Sequence, residues 1–360
     1  MPISRPIVEE RRNADLEEVL RRSINEGLLL PRKSFEIEVS VPNGFSGPQS
    51  RPLTTKPEIV RLANSILSDE GVNVSAVDDT TRWDIFWAGE YAAALASIGT
   101  SSHSYRNFLP GRHLMYELLS DQVINLSPSQ GSRVVDVGSG SGLSLLRLAR
   151  QGMEPIGLDT SRVALKFAQY LSEHYEVKDR IHLARGDFHK LPLRSDSFDV
   201  AYNSGVFEHL QVQEARELIN EMARVVKPGG YVLIAVPNAD SPFYKNLQEK
   251  ERTTYAKFKD KDYVRLPWET RRFRHDLKDL VQGASLRFIK GDGLQIAPSR
   301  PLKKGDLRPE DLEFFAEYLS DEPITKIGNK IAVWKRLEGN ASPEQRMCYG
   351  WSIYVVGQKL

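Results

Sequence analysis

From about Tyr105 the chain alternates short apolar runs with amphipathic stretches, and this alternation restricts the fold more than any other feature. The runs fall at 133–137, 154–158, 180–184, 198–202 and 230–236. Between them, "SRVALKFAQYLSEHY" (161–175) and "VQEARELINEMARVV" (212–226) repeat apolar residues at helical spacing. Strands that alternate with helices in this way predict a parallel sheet covered on both faces, an α/β fold. Ligands of such sheets lie at the carboxyl ends of the strands, near the switch point beside the first strand.

"VVDVGSGSGLSLL" (134–146) occupies that place. Gly138, Gly140 and Gly142 follow the first apolar run and precede a helical stretch, "LSLLRLARQG". Without Cβ atoms they permit a tight turn and let a ligand rest on backbone N–H groups. A glycine-rich turn alone is also found in dinucleotide enzymes, but that fingerprint requires Gly or Ala at position 143, which is Leu143. The next run, "EPIGLD", ends in Asp159, placed for its carboxylate to accept from both hydroxyls of a ribose. Two further blocks, "GDFHKLPLRSDSFDVAYNSGVFEHL" (186–210) and "RVVKPGGYVLIAVPN" (224–238), have no place in a nicotinamide oxidoreductase.

Taken together these blocks resemble the class I S-adenosylmethionine-dependent methyltransferases, in the broad subgroup acting on small molecules that includes quinone-biosynthesis and sugar methyltransferases. The resemblance covers roughly 105–295, with a last strand supplied by "YGWSIYVVGQKL" (349–360). It implies a Rossmann-like seven-stranded, mostly parallel sheet with helices on both faces, and S-adenosyl-L-methionine as cofactor. The Gly138–Gly142 backbone, with Ser139, then faces the methionine part of the cofactor, and Asp136 and Asn203 lie on the same side. Asp159 and Thr160 correspond to the ribose position. Gly186, Asp187 and Phe188 correspond to the adenine side, with Asp187 accepting from the adenine amino group. Asp199 and Arg224 read as structural, and Lys227-Pro228-Gly229-Gly230 as a turn into the fifth strand.

The acceptor side is expected after the fourth strand, in "NSGVFEHL" (203–210). A hydroxyl acceptor needs a base, and His209 is the candidate; its alternative role is a histidine that packs beneath the cofactor. Glu208 is a candidate substrate contact. Some similar enzymes hold a divalent metal with Glu-x-x-Glu-His, but the earlier carboxylate position is Gly205 here, so no metal is expected. The Asn/Asp-Pro-Pro-Tyr/Phe motif of amino methyltransferases acting on nucleic-acid bases is missing after the fourth strand, and "SPFY" (241–244) follows the wrong one. The segment 244–275 carries ten Lys or Arg against five acids, a local +5 in a chain of net charge +1, with aromatic residues interleaved. Tyr244, Arg271 and Arg272 are therefore candidates to bind an anionic acceptor, the alternative being a solvated helical surface.

The +1 total leaves no overall field for nucleic acid or an anionic membrane, and no apolar run approaches spanning length. Cys348, the single cysteine, fits a reducing, cytoplasmic setting and reads as packing. Residues 1–80 form an N-terminal extension, with a helix at 14–24, a strand at 34–41, a loop at 41–57 and a second helix from Pro57 stopped by Gly71. Residues 81–360 form the methyltransferase domain, with insertions at about 240–275 and 295–345. "TTRWDIFWAGEYAAALASI" (80–98) sets Trp83, Phe86, Trp87 and Tyr91 near one helical face, read as core rather than as a cover over the cofactor. Tyr105 and Arg106 are weaker candidates for such a cover. "RPEDLEFFAEYL" (308–319) reads as a helix that joins the pocket wall or a contact between two copies in a homodimer. The alternatives to a methyltransferase acting on O, N or C of a small metabolite are a non-catalytic cofactor-binding subunit and an NAD-dependent oxidoreductase.

Overall fold

The structure is a computed structural model that describes residues 57–73, 78–98, 103–242, 244, 274–296, 307–315 and 335–360. The readings at 14–24, 34–41 and 41–56, and Arg271 and Arg272, lie outside the described residues. Three helices precede the sheet: α1 (Pro57–Asp69), α2 (Asp79–Ile98) and α3 (His103–Leu126). There follow β1 (Arg133–Val137), α4 (Leu143–Arg150), β2 (Glu154–Asp159), α5 (Arg162–His174), β3 (His182–Arg185), β4 (Phe198–Ser204) and α6 (Val212–Val225). The remainder is β5 (Val226–Pro237), α7 (Arg274–Gly283), β6 (Leu286–Leu294), α8 (Pro343–Tyr349) and β7 (Ser352–Lys359).

The seven strands are ordered β3-β2-β1-β4-β5-β7-β6. The pairs from β3 to β5 are parallel, whereas β7 runs antiparallel between β5 and β6. Side chains alternate across the sheet, as the pleat requires. Val134, Val200, Tyr202, Leu233 and Ala235 point to one face, where α1 to α5 cover them. Val135, Val137, Ala201, Val232 and Ile234 point to the other, under α6 and α7. The order reverses at β1, whose neighbours are β2 and β4, so a crevice opens beyond Val137, Asp159 and Ser204.

Local signals set the ends of these helices. Ser161 caps α5 by accepting from Ala164 N at 3.0 Å. Gln211 and Glu214 form a capping box at α6. Asp199 is structural in the described fold: it accepts from Arg133 N at 2.8 Å and pairs with Lys227 Nζ at 2.7 Å, tying β1 and β5 to the start of β4. Arg224 does more than end a helix, because its guanidinium donates to the carbonyls of Leu191 and Leu193 as well as to Glu221.

Three sequence readings need adjustment. First, a boundary at 80 would cut α1 from the core it joins, since Leu62, Ala63, Ile66 and Leu67 are buried in the same cluster as Val134 and Leu145. Second, 227–230 is a bulge inside β5 rather than a turn before it: Phe198 pairs with Val226, but Val200 pairs with Tyr231. Third, the described part of 308–319 opens as a single 3-10 turn, Pro309–Asp311. The buried Asp311 carboxylate accepts from Arg308 Nε (2.7 Å), Tyr349 Oη (2.7 Å) and Gln345 Nε2 (2.8 Å), which pins that turn to α8. Cys348 is half-buried, beside the small cluster of Phe315, Leu337 and Tyr349.

Candidate active site

The turn after β1 is made of backbone in the left-handed region. Gly138, Gly140 and Gly142 have φ of +77°, +52° and +68°, conformations that side chains disfavour. Close approach adds a second requirement. A Cβ at Gly138 would overlap Val206, and one at Gly140 would overlap the Trp87 ring. Gly140→Ala is therefore expected to lower stability by about 1–3 kcal/mol, from left-handed strain and overpacking together. A thermal melt that does not move would contradict the contact with Trp87.

Two buried carboxylates flank this turn. Asp136, at 4% exposure, accepts from Ser144 Oγ at 2.7 Å, and Ser144 in turn accepts from Tyr202 Oη at 3.0 Å. Burial pushes its carboxyl up to about 7, against the pull of those hydroxyls. Asp159 accepts from Ser161 N through Oδ1 and from Gly140 N through Oδ2, both at 2.9 Å. Burial raises it to about 6; the two N–H donors oppose that shift, and the nearby Asp84 charge adds to it. Thus the acid at the end of β2 also holds the glycine turn in place. Thr160 lies beside it with its carbonyl accepting from Arg185 Nε at 3.0 Å.

On the far side of the crevice, Asn203 is fully buried at the end of β4 and its Nδ2 donates to Val137 O. Among the described residues, Asn203 Oδ1 and Ser139 Oγ are buried without a hydrogen-bond partner. Buried acceptors left unmatched are costly, so they suit a bound molecule that carries N–H or O–H donors. The ammonium and ribose of S-adenosylmethionine supply such donors, and the acids at 136 and 159 suit the same groups. The residues present fit that cofactor.

The other predicted positions spread along the rim. Gly186 N donates to Asp159 O at 3.1 Å, and a Cβ at Gly186 would press on Pro192 Cδ at 2.9 Å. Asp187 is exposed, with Oδ1 accepting from His189 N at 2.9 Å, and Phe188 packs at 4.3 Å from the His189 ring. Glu208 is buried and His209 half-buried in a 3-10 turn, Phe207–His209, after β4. Tyr244 is buried with its ring 6.2 Å from Trp351, beside the β5 end rather than at the glycine turn. Among the described residues no group of three or more His, Cys, Asp or Glu could hold a metal ion. No described helix is long and apolar enough to cross a membrane.

The aromatic stripe of α2 divides between two roles. Tyr91 belongs to the core, stacked on Phe167 at 4.9 Å. Trp83, Phe86 and Trp87 are half-buried; Trp83 meets the His209 ring edge-on at 5.1 Å, Trp87 covers Gly140, and Phe86 packs edge-on against both tryptophans. Reading the whole stripe as core misses this, because helical spacing says which residues share a face but not what the face meets. Sequence reasoning also passed over Ser144, Tyr202 and Asp84, whose partners are distant in the chain. The side chains of Tyr105 and Arg106 lie outside the described residues.

Comparison with known proteins agrees with this geometry. A family described as a methyltransferase domain matches residues 135–234, which span β1 to β5. A ubiquinone biosynthesis O-methyltransferase of Ralstonia nicotianae is 30% identical over 163 residues, 41% of this chain and 64% of that one. An uncharacterized protein of Haemophilus influenzae is 34% identical over 131 residues, 35% of this chain and 52% of its own length. The chain thus spans about half to two thirds of these relatives. Among solved structures, magnesium protoporphyrin IX methyltransferase of Synechocystis with bound S-adenosylhomocysteine superposes with a TM-score of 0.50 at 12% identity, covering 79% of this chain and all of that one, a likeness of fold. With the glycine turn, the flanking acids and the β1–β5 match in agreement, residues 135–234 carry a methyltransferase domain of the S-adenosylmethionine-dependent kind.

Proposed function

We propose that this chain transfers a methyl group from S-adenosylmethionine to O, N or C of a small, anionic metabolite. The observation that carries the reading is the pair of buried acids, Asp136 and Asp159, on either side of a side-chain-free turn with φ positive at all three glycines. When bound, the cofactor supplies an activated methyl group on a sulfonium, ready for in-line displacement. The protein's share is to orient and to exclude water. Asp136, Ser139 and Asn203 would receive the amino-acid end. Asp159 would hold the ribose diol, and Asp187 the adenine amino group. Trp83 and Trp87 would shield the crevice.

His209 lies beyond β4 with its ring fixed against Trp83. In that place it would take the proton of a hydroxyl acceptor, which makes oxygen the favoured atom. The local +5 of 244–275 favours an anionic acceptor, with Arg271 and Arg272 as its contacts. Reversing both charges is then expected to raise the acceptor KM while leaving S-adenosylhomocysteine affinity unchanged. An unaltered KM would return those arginines to a solvated surface.

Incubating purified protein with methyl-labelled cofactor and a metabolite extract tests the reading. Label in a new small molecule supports the transferase and identifies its acceptor. Binding of the cofactor without any transfer would support the alternative, a non-catalytic binding subunit. Neither binding nor transfer would overturn both, and nicotinamide binding would favour the oxidoreductase that Leu143 speaks against.

A further inference from the structure

Asp84 sits on α2, buried at 5% exposure and far in sequence from the glycine turn and from Asp159. Its Oδ1 accepts from Ser161 Oγ at 2.6 Å and from Val163 N at 3.2 Å. Ser161 donates its own N–H to Asp159 Oδ1 at 2.9 Å, and Asp159 Oδ2 accepts from Gly140 N. An unbroken chain of hydrogen bonds therefore runs from α2 through the cap of α5 to the ribose acid and the glycine turn. The same helix touches the crevice at two further points, Trp83 on His209 and Trp87 over Gly140. Its three attachments lie at the ends of β2, β4 and β1.

We infer that Asp84 is a positioning residue, a latch that sets the Asp159–Ser161 loop and at the same time holds α2 across the cofactor crevice. This rests on the cofactor reading above. The chemistry is that of a shared acceptor. Ser161 Oγ already accepts from Ala164 N, so its proton needs an outward partner, and Asp84 supplies it. Val163 N is one of the first N–H groups of α5, which the helix itself leaves unpaired, and the same oxygen takes it. Without that oxygen the Ser161 hydroxyl and Val163 N lose their buried acceptor, and the backbone that presents Asp159 loses its brace. The helix bearing Trp83 and Trp87 loses its tie to β2 at the same moment. The loop that presents Asp159 and the helix that bears Trp83 and Trp87 thus share one anchor.

The test uses the whole chain, S-adenosylhomocysteine as probe, and two variants, Asp84→Ala and Asp84→Asn. By calorimetry Asp84→Ala is expected to bind the probe about tenfold more weakly, whereas Asp84→Asn, which keeps an oxygen in place, stays within about threefold of the wild type. Labelling with 5-fluorotryptophan provides a second readout, with Trp83→Phe and Trp87→Phe assigning the two signals. In the wild type both signals shift when the probe binds, and in Asp84→Ala the shift is lost. A role confined to stability would lower the melting temperature of Asp84→Ala yet leave the affinity of its folded fraction and the fluorine shifts as in the wild type; that result overturns the latch. Wild-type signals that ignore the probe while it binds also overturn the latch, whatever the variants do. A wild-type protein that does not bind the probe overturns the cofactor reading and the latch with it.

Discussion

Asp159→Ala is expected to weaken S-adenosylhomocysteine binding about ten- to hundredfold, the size of one or two charge-assisted hydrogen bonds lost from a buried site. The carboxylate is 8% exposed and both of its oxygens are engaged, with Gly140 N and Ser161 N. Each oxygen keeps a further lone pair, which is what a ribose diol needs. Truncation removes the acceptor for the sugar and leaves Gly140 N of the turn and Ser161 N of the α5 cap without their partner. Asp159→Asn retains one of the two oxygens and is expected to fall between. Titration calorimetry on folded protein decides, and an affinity equal to the wild type would take the ribose away from Asp159.

The second large effect is a pH dependence centred on Asp136. Burial holds its folded-state carboxyl at about 7, well above the ordinary 3.8. Below about pH 4 it is protonated whether the chain is folded or not. Between about 4 and 7 the folded chain keeps a proton that the unfolded chain has released, so stability falls as pH rises through that window. The loss amounts to about 4 kcal/mol for this group alone, with Asp159 adding in the same direction up to its value of about 6. An ammonium brought beside Asp136 favours the charged form and reverses the trend. Binding should therefore expel about one proton at pH 6, and affinity should rise with pH by up to about tenfold per unit until Asp136 is fully ionised. The rise ends before an α-amino group itself begins to deprotonate near pH ~8. Calorimetry at pH 5.5 and 7.5, in two buffers of different ionisation enthalpy, counts the proton. A constant affinity with no proton release would place the ammonium elsewhere.

Much of the sheet was legible because its signals are local. The apolar runs at 133–137 and 198–202 open where β1 and β4 open, and "SRVALKFAQYLSEHY" carries its own cap in Ser161. The end of α1 was readable too, since Gly71 has φ of +64° just past Asp69. What escaped depends on distant partners. Nothing in "RPEDLEFF" tells that Tyr349 and Gln345 will take hold of Asp311, and nothing in "KPGG" tells that β4 skips from Val226 to Tyr231. The site divides along the same line. Gly138, Gly140, Gly142 and Asp159 announce themselves by residue type and spacing, whereas Asp84 reads as one acid among many until Ser161 is placed against it.

The position of β7 has a consequence for how the molecule assembles. Tyr231 pairs with Gln358 and Leu286 with Lys359, so β6 reaches the rest of the sheet only through a strand synthesised some sixty residues after it. On the ribosome, therefore, β1 to β5 can zip together in order of emergence, while β6 and α7 must wait unpaired until the late strand slides in between. The crevice lies at the early side of that seam, which lets the nascent chain shape its ligand cradle before its own edge is closed.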